Sequence, residues 1–302
     1  MPDVGYDDHQ RAYAEVVTAF CAQHTATWSD PRPEFDPSLW AGLGDLGVLG
    51  LTAADSGAEP LDVVAAHEAL GFGGCPGPLW ATALVVGAGS GPAVASGQLL
   101  ATVGSPDRMP WAAQADLIFE LADGILWRCE GVTVVDETVS LGFEPVARIV
   151  VSRRDRVEAT PRAVALAELA LAAYLAGAGR RILADVVGYV QVRRQFRRTL
   201  SEFQAVAHPL ADCDARLSAA AGLVRRGAAR LDSDPVAESG VALASAARAA
   251  RLTLYQAHQA YGGIGFAQEG PLAWIGARVG QLSTEAQAMW RARPLSSLIS
   301  DR

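Results

Sequence analysis

Phe203-Gln204-Ala205-Val206-Ala207-His208-Pro209-Leu210-Ala211-Asp212-Cys213-Asp214-Ala215-Arg216-Leu217, continued to Ala220 and Val224, is the stretch on which the fold turns. Its apolar positions 203, 206, 210, 213, 217, 220 and 224 step by three and four residues. That spacing draws one buried seam along a helix, as in an antiparallel bundle. Upstream, Ala163 to Val192 reads as one long helix. Its most apolar part, Ala163 to Gly179, holds Glu168, is short for a membrane span and is expected to be buried. Downstream, Asp234-Pro235 opens a helix from Val236 to Gln259, because proline suits the first helical turn, and Gly262-Gly263-Ile264-Gly265 closes it. Pro271 opens a fourth helix, to about Arg291. Residues 159–302 are therefore expected to form a four-helix bundle.

Residues 104–158 differ in texture. Leu117–Leu121, Ile125–Trp127, Val132–Val135 and Ala147–Val151 are short β-rich runs between turn residues, a sheet of about four strands that is too small to stand alone. Residues 1–103 are helical with glycine and proline punctuation. Arg11 to Ala26 carries Tyr13, Val16, Val17 and Phe20 on one face, Asp36 or Ser38 caps a short helix over Leu39–Leu46, and Leu61–Leu70 runs into the breaker cluster Gly71 to Pro78. The expected fold is mostly α with a small β-domain: an N-terminal helical domain (1–103), a reduced middle β-domain (104–158) and the bundle (159–302).

Composition narrows the function. Half of the 302 residues are hydrophobic and 19% are charged, enough for a large core. The net charge of −8 argues against a general nucleic-acid or anionic-membrane binder. All 25 basic residues are arginine, which removes Schiff-base and P-loop-lysine chemistry. Cys21, Cys75, Cys129 and Cys213 are widely spaced, as reduced thiols in a cytoplasmic protein would be. Met1–Gln10 has no apolar run of a signal peptide, and the five histidines form no HxxxH or HExxH pair, so no metal is expected.

Two clusters can carry chemistry. Arg193-Arg194-Gln195-Phe196-Arg197-Arg198 concentrates cations where the first bundle helix ends, with Gln204 one turn into the next. It is either a solvated basic face or an anion site in which guanidinium groups clasp phosphate beside a helix N-terminus. Gln259-Ala260-Tyr261-Gly262-Gly263-Ile264-Gly265-Phe266 is either a helix C-cap and turn or a loop whose bare amides approach a phosphate. Gly87-Ala88-Gly89-Ser90-Gly91 lacks a preceding strand and reads as a turn.

Three motif groups together resemble the flavin-dependent acyl-CoA dehydrogenase family. They are Arg193-x-x-Phe196 with Phe203-Gln204-Ala205-Val206 and Leu210-Ala211-Asp212; Gln259-x-x-Gly262-Gly263-Ile264-Gly265-Phe266; and, near the start, Phe35-Asp36-x-x-Leu39-Trp40, Leu46–Leu51 and Glu68-x-Leu70-Gly71. The resemblance implies an N-terminal helical domain, a middle β-domain and a C-terminal bundle that reaches over a neighbour's FAD. Arg193 and Phe196 would meet the pyrophosphate, Gln204 would lie near the adenine, and Gln259, Gly262 and Gly263 would close around the phosphates. Arg197 stands where the family usually has glycine.

Other departures shape the expectation. The family's threonine- and serine-bearing segment, which cradles the flavin ring and thioester, is replaced by Ala101-Thr102-Val103-Gly104-Ser105-Pro106, and roughly half the β-domain is expected to be missing. Counted without gaps, the family's two alternative base positions fall on Ala167 and Ala286, one residue from Glu168 and Glu285; one residue is about 100° around a helix. The resemblance therefore implies a shortened subunit of a hetero-oligomeric acyl-CoA dehydrogenase of the actinobacterial steroid-degradation type. A full-length homologue would complete an α2β2 assembly and supply the flavin cradle and the glutamate. A self-sufficient homo-oligomer using Glu168 or Glu285, and a non-redox scaffold, are the alternatives.

Overall fold

The computed structural model describes residues 5–24, 36–122 and 124–291. Phe35, and Thr25 and Ala26 at the end of the expected first helix, lie outside the described residues. The helical start of the chain comprises α1 (Asp8–His24), α2 (Pro37–Asp45), α3 (Pro60–Gly73), α4 (Leu79–Gly87) and α5 (Pro92–Ala95). The sheet follows as β1 (Ala101–Gly104), β2 (Met109–Pro110), β3 (Leu117–Ala122), β4 (Ile125–Val139) and β5 (Pro145–Val157). The bundle is α6 (Pro161–Val192), the small hairpin β6 (Arg194–Gln195) and β7 (Arg198–Thr199), then α7 (Gln204–Ala229), α8 (Pro235–Tyr261) and α9 (Ala273–Arg291). The fold class read from the sequence is the one observed.

The start signals work as expected. Asp36 accepts from Ser38 N at 2.8 Å to cap α2, Thr160 accepts from Ala163 N to cap α6, and Asp234 accepts from Ala237 N to cap α8. The breaker cluster after Leu70 behaves differently. α3 continues through Gly71-Phe72-Gly73 and stops only at Gly74. Gly71 is there for proximity: a Cβ on it would strike the Tyr174 carbonyl, and one on Gly177 would strike the Glu68 carbonyl. The pair lets α3 and α6 approach backbone to backbone.

The sheet has five strands, in the order β1-β3-β4-β5-β2, where about four were expected. Ile125–Trp127 and Val132–Val135 are one strand. The polar residues between them look like a turn in sequence but sit in the ladder, Cys129 opposite Arg154 and Glu130 opposite Arg153. The Glu130 charge is met by Arg153 of β5 at 3.4 Å, and a second pair, Arg154–Glu120 at 2.5 Å, bridges β5 to β3 across the same stretch of β4. The sheet curls so that its edge strands meet, with the Thr102 hydroxyl donating to Pro110 O at 2.6 Å.

α6 is the hub, with 20 of its 32 residues buried, so it packs on every side rather than along one stripe. By length and composition this helix could cross a membrane, but 89% of its most apolar window is buried within the protein, which makes it a core helix. Each fully buried leucine, such as Leu169, Leu171 and Leu175, contributes about 1.5–3 kcal/mol. α6 and α8 run parallel: Glu168 meets Ser239, Gly179 meets Ala250, and Tyr189 meets Tyr261. α7 runs between them in the opposite sense, with Gly227 against Leu169.

α3 carries a buried histidine. The Nδ1 of His67 lies 2.8 Å from Val63 O, and burial pushes its pKa down to about 4. The unfolded chain binds that proton more tightly, so the stabilisation is complete above about pH 6.5 and is lost as pH falls toward 4, by about 3 kcal/mol. His67→Leu is expected to flatten the dependence of the urea midpoint on pH between 7 and 4.5; an unchanged slope would place the acid sensitivity elsewhere.

Candidate functional site

α6 ends where the Arg193 N–H donates to Tyr189 O at 2.9 Å. The chain then reverses through β6 and β7, and the Leu200 N–H returns to Arg193 O at 2.9 Å. Thr199 and Glu202 form a capping box, and α7 begins at Gln204 behind Phe203, which offers its first-turn amides no side-chain acceptor. At the neighbouring helix end the Tyr189 and Tyr261 rings lie 4.7 Å apart, which holds the C-terminal ends of α6 and α8 together. Gly262, at φ +63°, swings the chain into a 3-10 turn over Gly262–Phe266. Arg193, Phe196, Gln204, Gln259, Gly262 and Gly263 thus stand at one end of the bundle, all exposed.

The Phe196 ring is 88% exposed, with its edge toward Phe203 at 6.4 Å. A Cβ on Gly262 or on Gly263 would meet no atom within 4 Å, so a ligand has room beside both, while the Gly262 N–H itself donates to His258 O as the cap of α8. Glu202 is held below the usual carboxylate range by the Thr199 amide and hydroxyl, with further help from the charges of Arg198 and Arg194. Among the described residues no carboxylate pairs with Arg193.

The junction of sheet, N-terminal helices and bundle is built differently. Arg278 of α9, only 2% exposed, pairs with Glu144 from the β4–β5 loop. It also donates to the Tyr174 hydroxyl at 2.6 Å and to Gly77 O at 3.0 Å, and lies over the Tyr174 and Trp274 rings. The Tyr174 hydroxyl in turn donates to Cys75 O at 2.9 Å. Burial opposes the Arg278 charge, but Glu144 and Tyr174 more than offset it and hold the guanidinium above its ordinary pKa. Beside this network, Thr102, Val103, Pro110 and a buried Trp111 face Gln281 and Glu285 across a void of about 10 Å³.

The two candidate bases are both occupied. Glu168 is buried and accepts from Ser239 Oγ at 2.5 Å, in the α6–α8 contact. Glu285 borders the small void and accepts from Gln281 Nε2 at 3.0 Å; burial raises its pKa, Gln281 lowers it, and the charge of Glu144 raises it further. Ala167 and Ala286 are each 1% exposed in the core.

A helical layer, a small curled sheet and a four-helix bundle with a cationic hairpin define an acyl-CoA dehydrogenase-type architecture. The family model described as "Acyl-CoA dehydrogenase, C-terminal domain" matches residues 160–284. Over that segment, less than half of the chain, the sequence is similar to the family's C-terminal domain, and over the whole length the fold is similar to that of butyryl-CoA dehydrogenase from Megasphaera elsdenii, with a TM-score of 0.81 at 17% identity over 98% and 99% of the two chains. The short-chain-specific acyl-CoA dehydrogenase of Megasphaera elsdenii is 31% identical over 107 residues, 35% of this chain and 28% of that protein. The similarity in sequence thus spans less than a third of that relative's length. The ChsE4-ChsE5 complex from Mycobacterium tuberculosis aligns with a TM-score of 0.80 at 21% identity, covering 99% of this chain and 100% of that one. A Tcur3481-Tcur3483 steroid ACAD variant aligns with a TM-score of 0.75 at 20% identity, over 94% and 96% of the two chains.

Sequence reasoning missed Arg278, Glu144 and Tyr174. A signal existed for one of them: Arg278 lies four residues from both Trp274 and Leu282, on an apolar helical face where a lone charge requires a buried partner. Glu144 sits in a loop, and nothing local marks it.

Proposed function

We propose that this chain is a subunit of a flavin-dependent acyl-CoA dehydrogenase, and that it lends FAD-phosphate contacts to a full-length homologue which carries the flavin cradle and the catalytic glutamate. The observation that carries this reading is the contrast between the two ends of the molecule. The bundle end offers Arg193 without a carboxylate among the described residues, an uncapped helix start and an open glycine turn, which suit the diphosphate of FAD. The cleft beside Thr102 and Glu285 holds about 10 Å³, room for one water, where a ligand site needs about 300–1,000 Å³. The bundle end has the chemistry for the phosphates of FAD, whereas the void beside Glu285 has no room for its ring or a thioester.

Bound in the partner, the flavin supplies the hydride acceptor for α,β-dehydrogenation of an acyl-CoA thioester. The residues of this chain would hold its phosphates, Arg193 by charge, Gln259 and the Gly263 amide by hydrogen bonds, with Phe196 and the open turn at Gly262 beside them and Gln204 toward the adenine. The complex of two named chains and the steroid enzyme among its structural neighbours support a hetero-oligomer acting on a steroid-derived CoA ester; the α2β2 form and the cytoplasmic location are part of the proposal.

Co-purification from the native host is expected to yield a yellow complex with a larger homologous chain. In that complex Glu285→Gln and Glu168→Gln are expected to leave turnover within a few-fold, whereas loss of a true general base costs about 10²- to 10⁴-fold. A chain purified alone with stoichiometric FAD, or a collapse of turnover in either variant at normal flavin content, would make it a self-sufficient enzyme.

A further inference from the structure

The cationic hairpin breaks a local rule at two residues, of which Phe196 already has a role above and Arg197 has none. Its two central positions, Phe196 and Arg197, have φ of +52° and +66°, as a type I′ turn requires. Such positions favour glycine, asparagine or aspartate, and an arginine there holds its backbone under strain. Among the described residues nothing compensates. Arg197 is exposed, no carboxylate pairs with it among the described residues, and its carbonyl merely accepts from Arg194 Nη2 at 3.2 Å. Arg194 and Arg198 differ, because both lie in the field of Glu202. A residue that costs local stability with no internal return marks a contact outside the chain.

The charge balance of the ligand identifies that contact. A bridging diphosphate carries two negative charges, and Arg193 answers one. The next cation on the same hairpin without a counter-charge is Arg197. We infer that Arg197 is the second guanidinium of a two-arginine clasp for the diphosphate of a dinucleotide, one arm at the root of the hairpin and one at its tip. This deepens the functional reading above and rests on it.

The inference has a signature that a merely exposed arginine lacks: opposite effects on stability and on binding. Arg197→Gly is expected to relieve the turn and raise Tm by about 1–3 °C. It is also expected to weaken binding of FAD and ADP by about tenfold, as loss of one charge-assisted pair does, with little change for AMP. Arg197→Asn tolerates the same backbone and removes only the charge, so it should weaken binding equally. The titrations use FAD, ADP and AMP on the flavin-stripped assembly in which the chain purifies, whether a complex or the chain alone, with Arg193→Ala in parallel. Weakening by Arg193→Ala with wild-type affinity in both Arg197 variants overturns the clasp and leaves the functional reading standing. Wild-type affinity in all three overturns both. Equal losses for AMP and ADP place Arg197 on something other than a diphosphate and overturn the clasp as well.

Discussion

Arg278→Ala and Glu144→Ala are each expected to destabilise the protein by about 3–5 kcal/mol, enough to consume much of an ordinary stability margin. Both groups are almost fully buried, and removing either leaves an unpaired charge in the core. The Arg278 variant also takes one donor from the Tyr174 hydroxyl and one from the Gly77 carbonyl, which keep their bonds to Cys75 O and from Leu79 N. The double variant Arg278→Met, Glu144→Leu removes both charges while keeping volume, and should recover most of the loss, because a buried ion pair repays little more than its own desolvation. Urea unfolding of the three variants reads the effect. Single variants within about 1 kcal/mol of wild type would mean that water reaches the pair and that the junction is not sealed.

Arg193→Ala is expected to weaken FAD binding by about 10- to 150-fold, equivalent to about 1.5–3 kcal/mol. The guanidinium is exposed and has no carboxylate partner among the described residues, so its loss should leave the fold intact and be read at the ligand alone. Gln259→Ala should cost less, because a neutral donor makes the weaker bond. Arg198→Ala serves as the control within the same cluster: it is already in the field of Glu202 and should change flavin affinity little. Flavin fluorescence titration of the stripped complex separates the three. Equal, small effects would return the whole cluster to the status of a solvated basic face.

What the sequence made legible follows the range of the interactions involved. The seam from Phe203 to Val224 is a local pattern, and so is the proline at the start of α8; both read correctly because helix periodicity and caps need only near neighbours. The glycines after Leu70 mislead because their cause lies far along the chain, in the Tyr174 backbone. The continuity of β4 is hidden by polar residues such as Glu130, whose ion-pair partner, Arg153, lies on β5. The bundle-end residues can be named from motif spacing, yet their convergence needs the Tyr189–Tyr261 contact, which no local rule supplies. The Arg278–Glu144 pair spans 134 positions and joins a helix to a loop, so only one of its halves leaves a trace.

The parallel course of α6 and α8 has an electrostatic consequence. The end of the bundle that carries Arg193 presents the C-termini of α6 and α8 beside the N-termini of α7 and α9. Each terminus contributes roughly half an elementary charge, negative at the first two and positive at the last two, so the backbone contributions nearly cancel there. A phosphate approaching this end feels little net pull from the peptide framework. Its attraction comes from solvent-facing guanidinium groups, which salt screens effectively. Ionic strength, rather than the integrity of the fold, should therefore set how firmly this chain grips an anionic ligand.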